Sequence, residues 1–111
     1  MRIGINGLGR IGRGLVKALW EDERFQVTAL NDVAEVPILA HLLNRDSYYG
    51  PWAHRAEASA SGLCIGQRDL ALFGSAIPAQ IPWDDAGVDW VVDATGRFKD
   101  RASLAGHGRP V

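Results

Sequence analysis

Three glycines near the start of the chain, in Gly7-Leu8-Gly9-Arg10-Ile11-Gly12, leave few folds open once their flanks are considered. The G-x-G-x-x-G spacing alone is weak, because glycine-rich turns occur in many folds. Ahead of it, Met1 to Asn6 places Ile3 and Ile5 two apart, as a short buried strand does. Behind it, Ile11, Leu15 and Leu19 recur every fourth residue with Val16 and Trp20 beside them. That is one apolar stripe of a helix spanning Arg10 to Glu23. Phe25 to Leu30 is rich in β-formers and stops at Asn31-Asp32, so it is a second strand. Strand, glycine turn, helix and strand make a βαβ unit, with parallel strands and a right-handed crossover.

In that setting each residue type has a job. Gly7 permits the tight turn, Gly9 leaves room for a pyrophosphate against the backbone, and Gly12 lets helix and strand pack closely. Amides at the helix opening, around Arg10 and Ile11, point at an anion with the positive end of the helix dipole behind them. Asp32 stands about 20 residues past Gly12, at the end of the second strand, where a carboxylate accepts hydrogen bonds from ribose hydroxyls. The same charge repels a 2′-phosphate, and no arginine follows before Arg45, so NAD is favoured over NADP. The competing reading is a βα turn that binds nothing, with Asp32 as an ordinary loop residue.

Farther along, Val36 to Asn44 is expected to be a second helix, with Pro37 in its first turn. Asp46 to Pro51 is turn-forming. Ala53 to Ile81 alternates short apolar runs with Gly62, Gly66 and Gly74, which suggests an antiparallel excursion. Gly87 to Ala94 returns to a buried strand that meets Thr95-Gly96, and a helix is expected from Asp100 to Ala105. Gly106 to Val111 resembles a loop leading into another strand, so the sequence is expected to be a fragment of a longer chain. The fold class expected is α/β: a doubly wound, mainly parallel sheet of Rossmann type with a β-hairpin insertion, in one domain over residues 1–111.

Composition narrows the function classes. Twelve Lys and Arg against thirteen Asp and Glu give a formal net charge of -1. No positive excess is available for a nucleic-acid backbone or an anionic membrane. With 47% hydrophobic and 23% charged residues the chain is ordinary globular material. No apolar run approaches the roughly 18 residues that span a bilayer, and no leader pattern opens the chain, so a cytoplasmic location is expected. Cys64 is the one cysteine, so no intrachain disulfide can form. Between Leu63 and Ile65 it has the surroundings of a packed apolar residue, not a nucleophile. His41, His54 and His107 fit surface or packing roles. Of the four tryptophans, Trp20 and Trp90 lie in apolar periodic runs and are expected to pack. Trp52 and Trp83 border loops and are candidates to meet a second domain or subunit.

These residues resemble a known family. Ile5-Asn6-Gly7-Leu8-Gly9-Arg10-Ile11-Gly12-Arg13 resembles the I-N-G-F-G-R-I-G-R opening of glyceraldehyde-3-phosphate dehydrogenases. Asn31-Asp32 is similar to the family's N-D, Ala40 through Gly50 to its A-H-L-L-K-Y-D-S-x-x-G, and Asp93 to Phe98 to its E-S-T-G-x-F. The likeness covers the whole chain. It implies an NAD site lined by Asn6, Gly7, Gly9, Arg10, Ile11 and Gly12, with Asp32 on the adenosine ribose. Thr95, Gly96 and Phe98 would approach the cofactor at the switch point of the sheet. It also implies a parent enzyme that oxidises an aldehyde phosphate with NAD, acting in glycolysis as a homotetramer. The family's catalytic cysteine and histidine lie in a further domain beyond residue 111, so this chain alone is expected to be inactive. Erythrose-4-phosphate dehydrogenase, another family member, and a stand-alone NAD-binding module remain open alternatives. The sequence departs from the family at Leu8, at Ala94 and in Phe73 to Pro78, where the arginine that usually reaches the adenine is missing.

Overall fold

In a computed structural model that describes residues 1–45 and 52–96, the chain forms a six-stranded sheet with two helices. The strands are β1 (Arg2–Asn6), β2 (Gln26–Asn31), β3 (Ala56–Ser59), β4 (Gly62–Ile65), β5 (Arg68–Phe73) and β6 (Trp90–Asp93). The helices are α1 (Arg10–Trp20) and α2 (Val36–Asn44), and a 3₁₀ turn covers Pro78–Gln80. The order across the sheet is β3-β4-β5-β2-β1-β6. β5, β2, β1 and β6 run parallel, while β3 and β4 form a hairpin that is antiparallel to β5. Chain connections lead from β1 outward to β2 and β5, then return to β6 on the other side of β1. The order therefore reverses beside β1, and doubly wound sheets bind ligands at the carboxyl ends of such strands.

The antiparallel excursion expected over Ala53 to Ile81 is correct for β3 and β4 and needs correction at β5. β5 closes the hairpin, yet it also pairs in parallel with β2 as part of the main sheet. Helix α1 stops earlier than its charged end suggested. Asp22 accepts hydrogen bonds from the Arg24 amide and guanidinium, and this local turn competes with helical bonding. β6 is shorter than Gly87 to Ala94, because Gly87 has a left-handed φ of 71° and the chain is still turning there. The expected Asp100 to Ala105 helix, the Asp46 to Pro51 turn and Phe98 lie outside the described residues.

The core has two parts. On one face Ile3, Ile5, Val16, Val27, Leu30, Leu39 and Leu43 pack beneath α1 and α2. Between Ile3 and Gly4 the β1–β2 register slips by one residue, so Thr28 is the extra residue of a bulge. That irregularity lets Val27 and Leu30, three apart, both reach the same core. The other face is closed by Trp83, 1% exposed, with Ala29, Ile81, Val88 and Val91. A Cβ on Gly4 would lie 2.7 Å from the Trp83 ring, so the indole lies directly against bare backbone. Trp83 is thus a core residue, not a contact kept for another domain. Trp90, expected to pack, is 42% exposed at the start of β6. Trp52 packs edge-on against Trp20, with ring centroids 6.0 Å apart.

Candidate cofactor site

Asn6 ends β1, and the chain turns at Gly7, whose φ of 97° is costly for any residue with a side chain. Gly9 caps α1 with no side-chain hydrogen bond, and the first turn of α1 carries no acidic residue. The Arg13 amide donates to the Gly9 carbonyl at 2.9 Å, the first bond of the α1 ladder. Amides of the opening turn have no helical carbonyl within reach, so the positive end of α1 faces the crevice with no acidic residue of its own first turn against it. Gly9 and Gly12 differ in kind. A Cβ at Gly9 would have nothing within 4 Å, whereas one at Gly12 would lie 1.8 Å from the Gly7 carbonyl oxygen. Gly12 belongs to the helix–strand contact, and Gly9 belongs to open space.

Asp32 follows β2 with both carboxylate oxygens engaged. One accepts from the Leu8 amide at 2.7 Å and the other from the Ala34 amide at 2.9 Å. The first bond ties the glycine turn to the end of β2, and each oxygen keeps lone-pair capacity for a hydroxyl. A crevice of about 160 Å³ opens between these parts; Asn6, Gly7, Gly9, Asp32 and Thr95 line it. Of the other expected residues, Gly12 is buried beneath the turn, and Arg10 and Ile11 are exposed at the opening of α1. Gly96 lies just past Thr95 with a φ of 72°. Phe98 is outside the described residues.

Five residues of the wall are not among the site residues expected from the sequence: Asn31, Val33, Ser75, Ala76 and Ala94. Val33 is 54% exposed, an apolar surface beside Asp32. Ser75 and Ala76 reach the crevice because β5 lies next to β2, a neighbour relation that the residues between them do not encode. Nothing basic in Phe73 to Pro78 stands at this end, as the sequence indicates.

No group of three or more His, Cys, Asp or Glu among the described residues could hold a metal ion. His41 is exposed on α2, and His54 packs against Trp20 and Trp52, away from the crevice. Burial pushes the Cys64 thiol up, and Asp69 and Glu57 add to the shift. A reactive cysteine needs the opposite surroundings.

The model of the glyceraldehyde 3-phosphate dehydrogenase NAD-binding domain matches residues 1–101. The chain belongs to this family. Curated glyceraldehyde-3-phosphate dehydrogenases agree along nearly all of it. One from Bacillus cereus is 36% identical over 106 residues, one from Streptomyces arenae 38% over 108, and one from Thermotoga maritima 34% over 108. Each comparison covers 96% of this chain and 32% of the relative, so the NAD-binding domain described here spans about a third of those proteins. The crevice has features that suit a dinucleotide: open space at Gly9, a helix opening with no acid in its first turn, and the fixed Asp32 carboxylate beside them.

Proposed function

We propose that the crevice at the carboxyl ends of β1, β2, β5 and β6 is the NAD site. Gly7, Gly9 and the opening turn of α1 at Arg10 and Ile11 receive the pyrophosphate. Asp32 holds the adenosine ribose, Asn6 lines the crevice from the end of β1, and Thr95 and Gly96 approach the cofactor from the end of β6. Phe98, outside the described residues, is assigned to the cofactor by the family resemblance alone. The observation that carries this reading is the pairing of Gly9 with Asp32. One has clear space where a Cβ would be, and the other has its carboxylate anchored by two amides on the same crevice. An anchored carboxylate cannot swing away from a 2′-phosphate, so the site selects NAD over NADP.

Bound NAD supplies a hydride acceptor. In a full-length protein the domain serves the oxidation of glyceraldehyde 3-phosphate by NAD and phosphate, with a cysteine of a separate catalytic domain as nucleophile. We place that protein in the cytoplasm as a homotetramer. Among the described residues no helix is long and apolar enough to cross a membrane. Cys64, with its raised pKa, is no substitute nucleophile, so the chain alone should show no turnover.

An amide-resolved NMR titration tests the site, with NAD and NADP in parallel. Shifts centred on Gly7 to Gly12, Asp32 and Thr95 to Phe98, stronger for NAD, are expected. A dispersed spectrum unmoved by NAD would remove the binding role from this chain.

A further inference from the structure

Beneath the crevice a line of side chains crosses four strand ends. The Asn31 amide clamps the loop after β5. Its Oδ1 accepts from the Ser75 N–H at 3.0 Å, and its Nδ2 donates to the Ser75 carbonyl at 2.8 Å. The same Nδ2 donates to Asn6 Oδ1 at 2.8 Å, and Asn6 Nδ2 donates to Asp93 Oδ2 at 3.0 Å. At the far end Asp93 Oδ1 accepts from the Thr95 N–H at 3.0 Å and from its hydroxyl at 2.6 Å. Asn6 and Asn31 are 3% and 2% exposed, so water cannot stand in for a lost partner at little cost.

The line has a donor problem that only one residue solves. Both of its ends are backbone N–H groups, of Ser75 and of Thr95, and neither can be reversed. A carboxamide passes direction along, accepting on one side and donating on the other. Starting from Ser75, Asn31 and then Asn6 each present a donor toward the next residue. The residue between Asn6 and Thr95 must therefore accept on both sides, which a carboxylate does and a carboxamide cannot.

Resting on the NAD reading above, we propose that Asp93 is a positioning residue for the cofactor crevice. Its carboxylate sets the direction of the whole line and thereby holds both opposing walls, Thr95 on one side and the Ser75–Ala76 loop on the other. Asp93 need not touch the cofactor to do so. An asparagine in its place turns its Nδ2 either toward Asn6 Nδ2 or toward the Thr95 N–H. Each choice puts two donors face to face in a buried line, and the mismatch can be relieved only by moving a wall.

The test compares Asp93→Asn with the exchanged pair Asn6→Asp plus Asp93→Asn. In the pair, the carboxylate now at position 6 accepts from Asn31 on one side and from the carboxamide at position 93 on the other. The oxygen of that carboxamide accepts from the Thr95 N–H, so the donors match again. In the 111-residue chain, Asp93→Asn should move the Ser75 amide resonance, two side chains away. It should also weaken NAD about tenfold or more, as an unmatched buried donor predicts. The exchanged pair should return the Ser75 amide to its original position. A merely local role would confine the shifts to the neighbours of residue 93 and leave Ser75 still. That result, or a pair that fails to restore Ser75, overturns the proposal. If Asp93→Asn does not fold, hydrogen exchange of the native chain decides. A protected Ser75 amide supports the line, and exchange at the rate of an open peptide overturns it. Should the native chain ignore NAD, the NAD reading falls by itself, and the resonance and exchange results still judge the line.

Discussion

The lower face of the sheet and its carboxyl edge solve opposite problems. The face is closed by volume: Trp83 lies against Gly4 with Ile81, Val88 and Val91 around it, and little space is left over. The edge is held open by direction. Asn6, Asn31, Asp32 and Asp93 fix it through hydrogen bonds while leaving a crevice of about 160 Å³. Glycine appears in both places for different reasons. At Gly4 it makes room for a ring that is present, and at Gly9 it borders open space on the crevice, where we propose the cofactor lies. A change on the face should therefore be read in stability, and a change at the edge in affinity.

The largest effect is expected from Trp83→Ala, at about 3–5 kcal/mol of unfolding free energy, because a buried indole leaves a cavity that a small cluster cannot refill. Urea unfolding followed by circular dichroism measures it. Gly4→Ala should cost about 2 kcal/mol through overpacking, since its Cβ would lie 2.7 Å from the Trp83 ring. In the Trp83→Ala background that second cost should nearly vanish, the non-additivity that direct contact produces. Additive costs would mean that the ring and Gly4 are not in opposition.

Next comes the pair of loop glycines. Gly12→Ala must displace the Gly7 carbonyl, 1.8 Å from the new Cβ, and about 3 kcal/mol of stability should go with it. Gly9→Ala meets nothing within 4 Å, so stability should hold to within about 0.5 kcal/mol. On the proposed reading its methyl group would stand in the pyrophosphate's approach, and NAD affinity should fall at least about tenfold, or 1.4 kcal/mol. Calorimetric titration with NAD beside a melting curve separates the two. A Gly9→Ala protein that keeps full affinity would break the contrast between face and edge, and the NAD reading with it.

How far the sequence anticipates all this follows from the range over which each signal acts. The βαβ unit is legible because its period-four stripe, its glycine turn and Asp32 all lie within one stretch of chain. The α2 boundaries, Val36–Asn44, were legible for the same reason, with Pro37 marking the start. The tryptophans were not. Trp90 sits in an apolar run yet opens a short strand with its ring outward, whereas Trp83 sits in a turn that folds back beneath Gly4. Local periodicity states that a face exists and is silent on what covers it. The family resemblance points to the Phe73 to Pro78 loop, but the residues alone do not single out Ser75 and Ala76, because only the parallel pairing of β5 with β2 brings them to the crevice. Asn31 stood in view as half of a turn pair; its clamp on Ser75 needs a partner 44 positions away.

The smallest effect belongs to the most conspicuous ion pair. Asp22 accepts from Arg24 through both carboxylate oxygens, and its pKa is lowered to about 2, first by the side-chain bond to Arg24 and then by the bond from the Arg24 amide. Because the folded pKa lies below the unfolded one, any stability it gives is present above the usual carboxylate range near 4 and is lost as pH falls toward 2. The pair is solvent-exposed, and solvent screens such pairs strongly. Asp22→Asn should therefore leave the melting temperature at pH 7 unchanged within error, with or without added salt. An asparagine keeps the acceptor for the Arg24 amide, so the turn that ends α1 should also survive. A clear loss of stability at neutral pH that salt reproduces in the native protein would show that charge, rather than the turn-forming acceptor, stops the helix at Trp20.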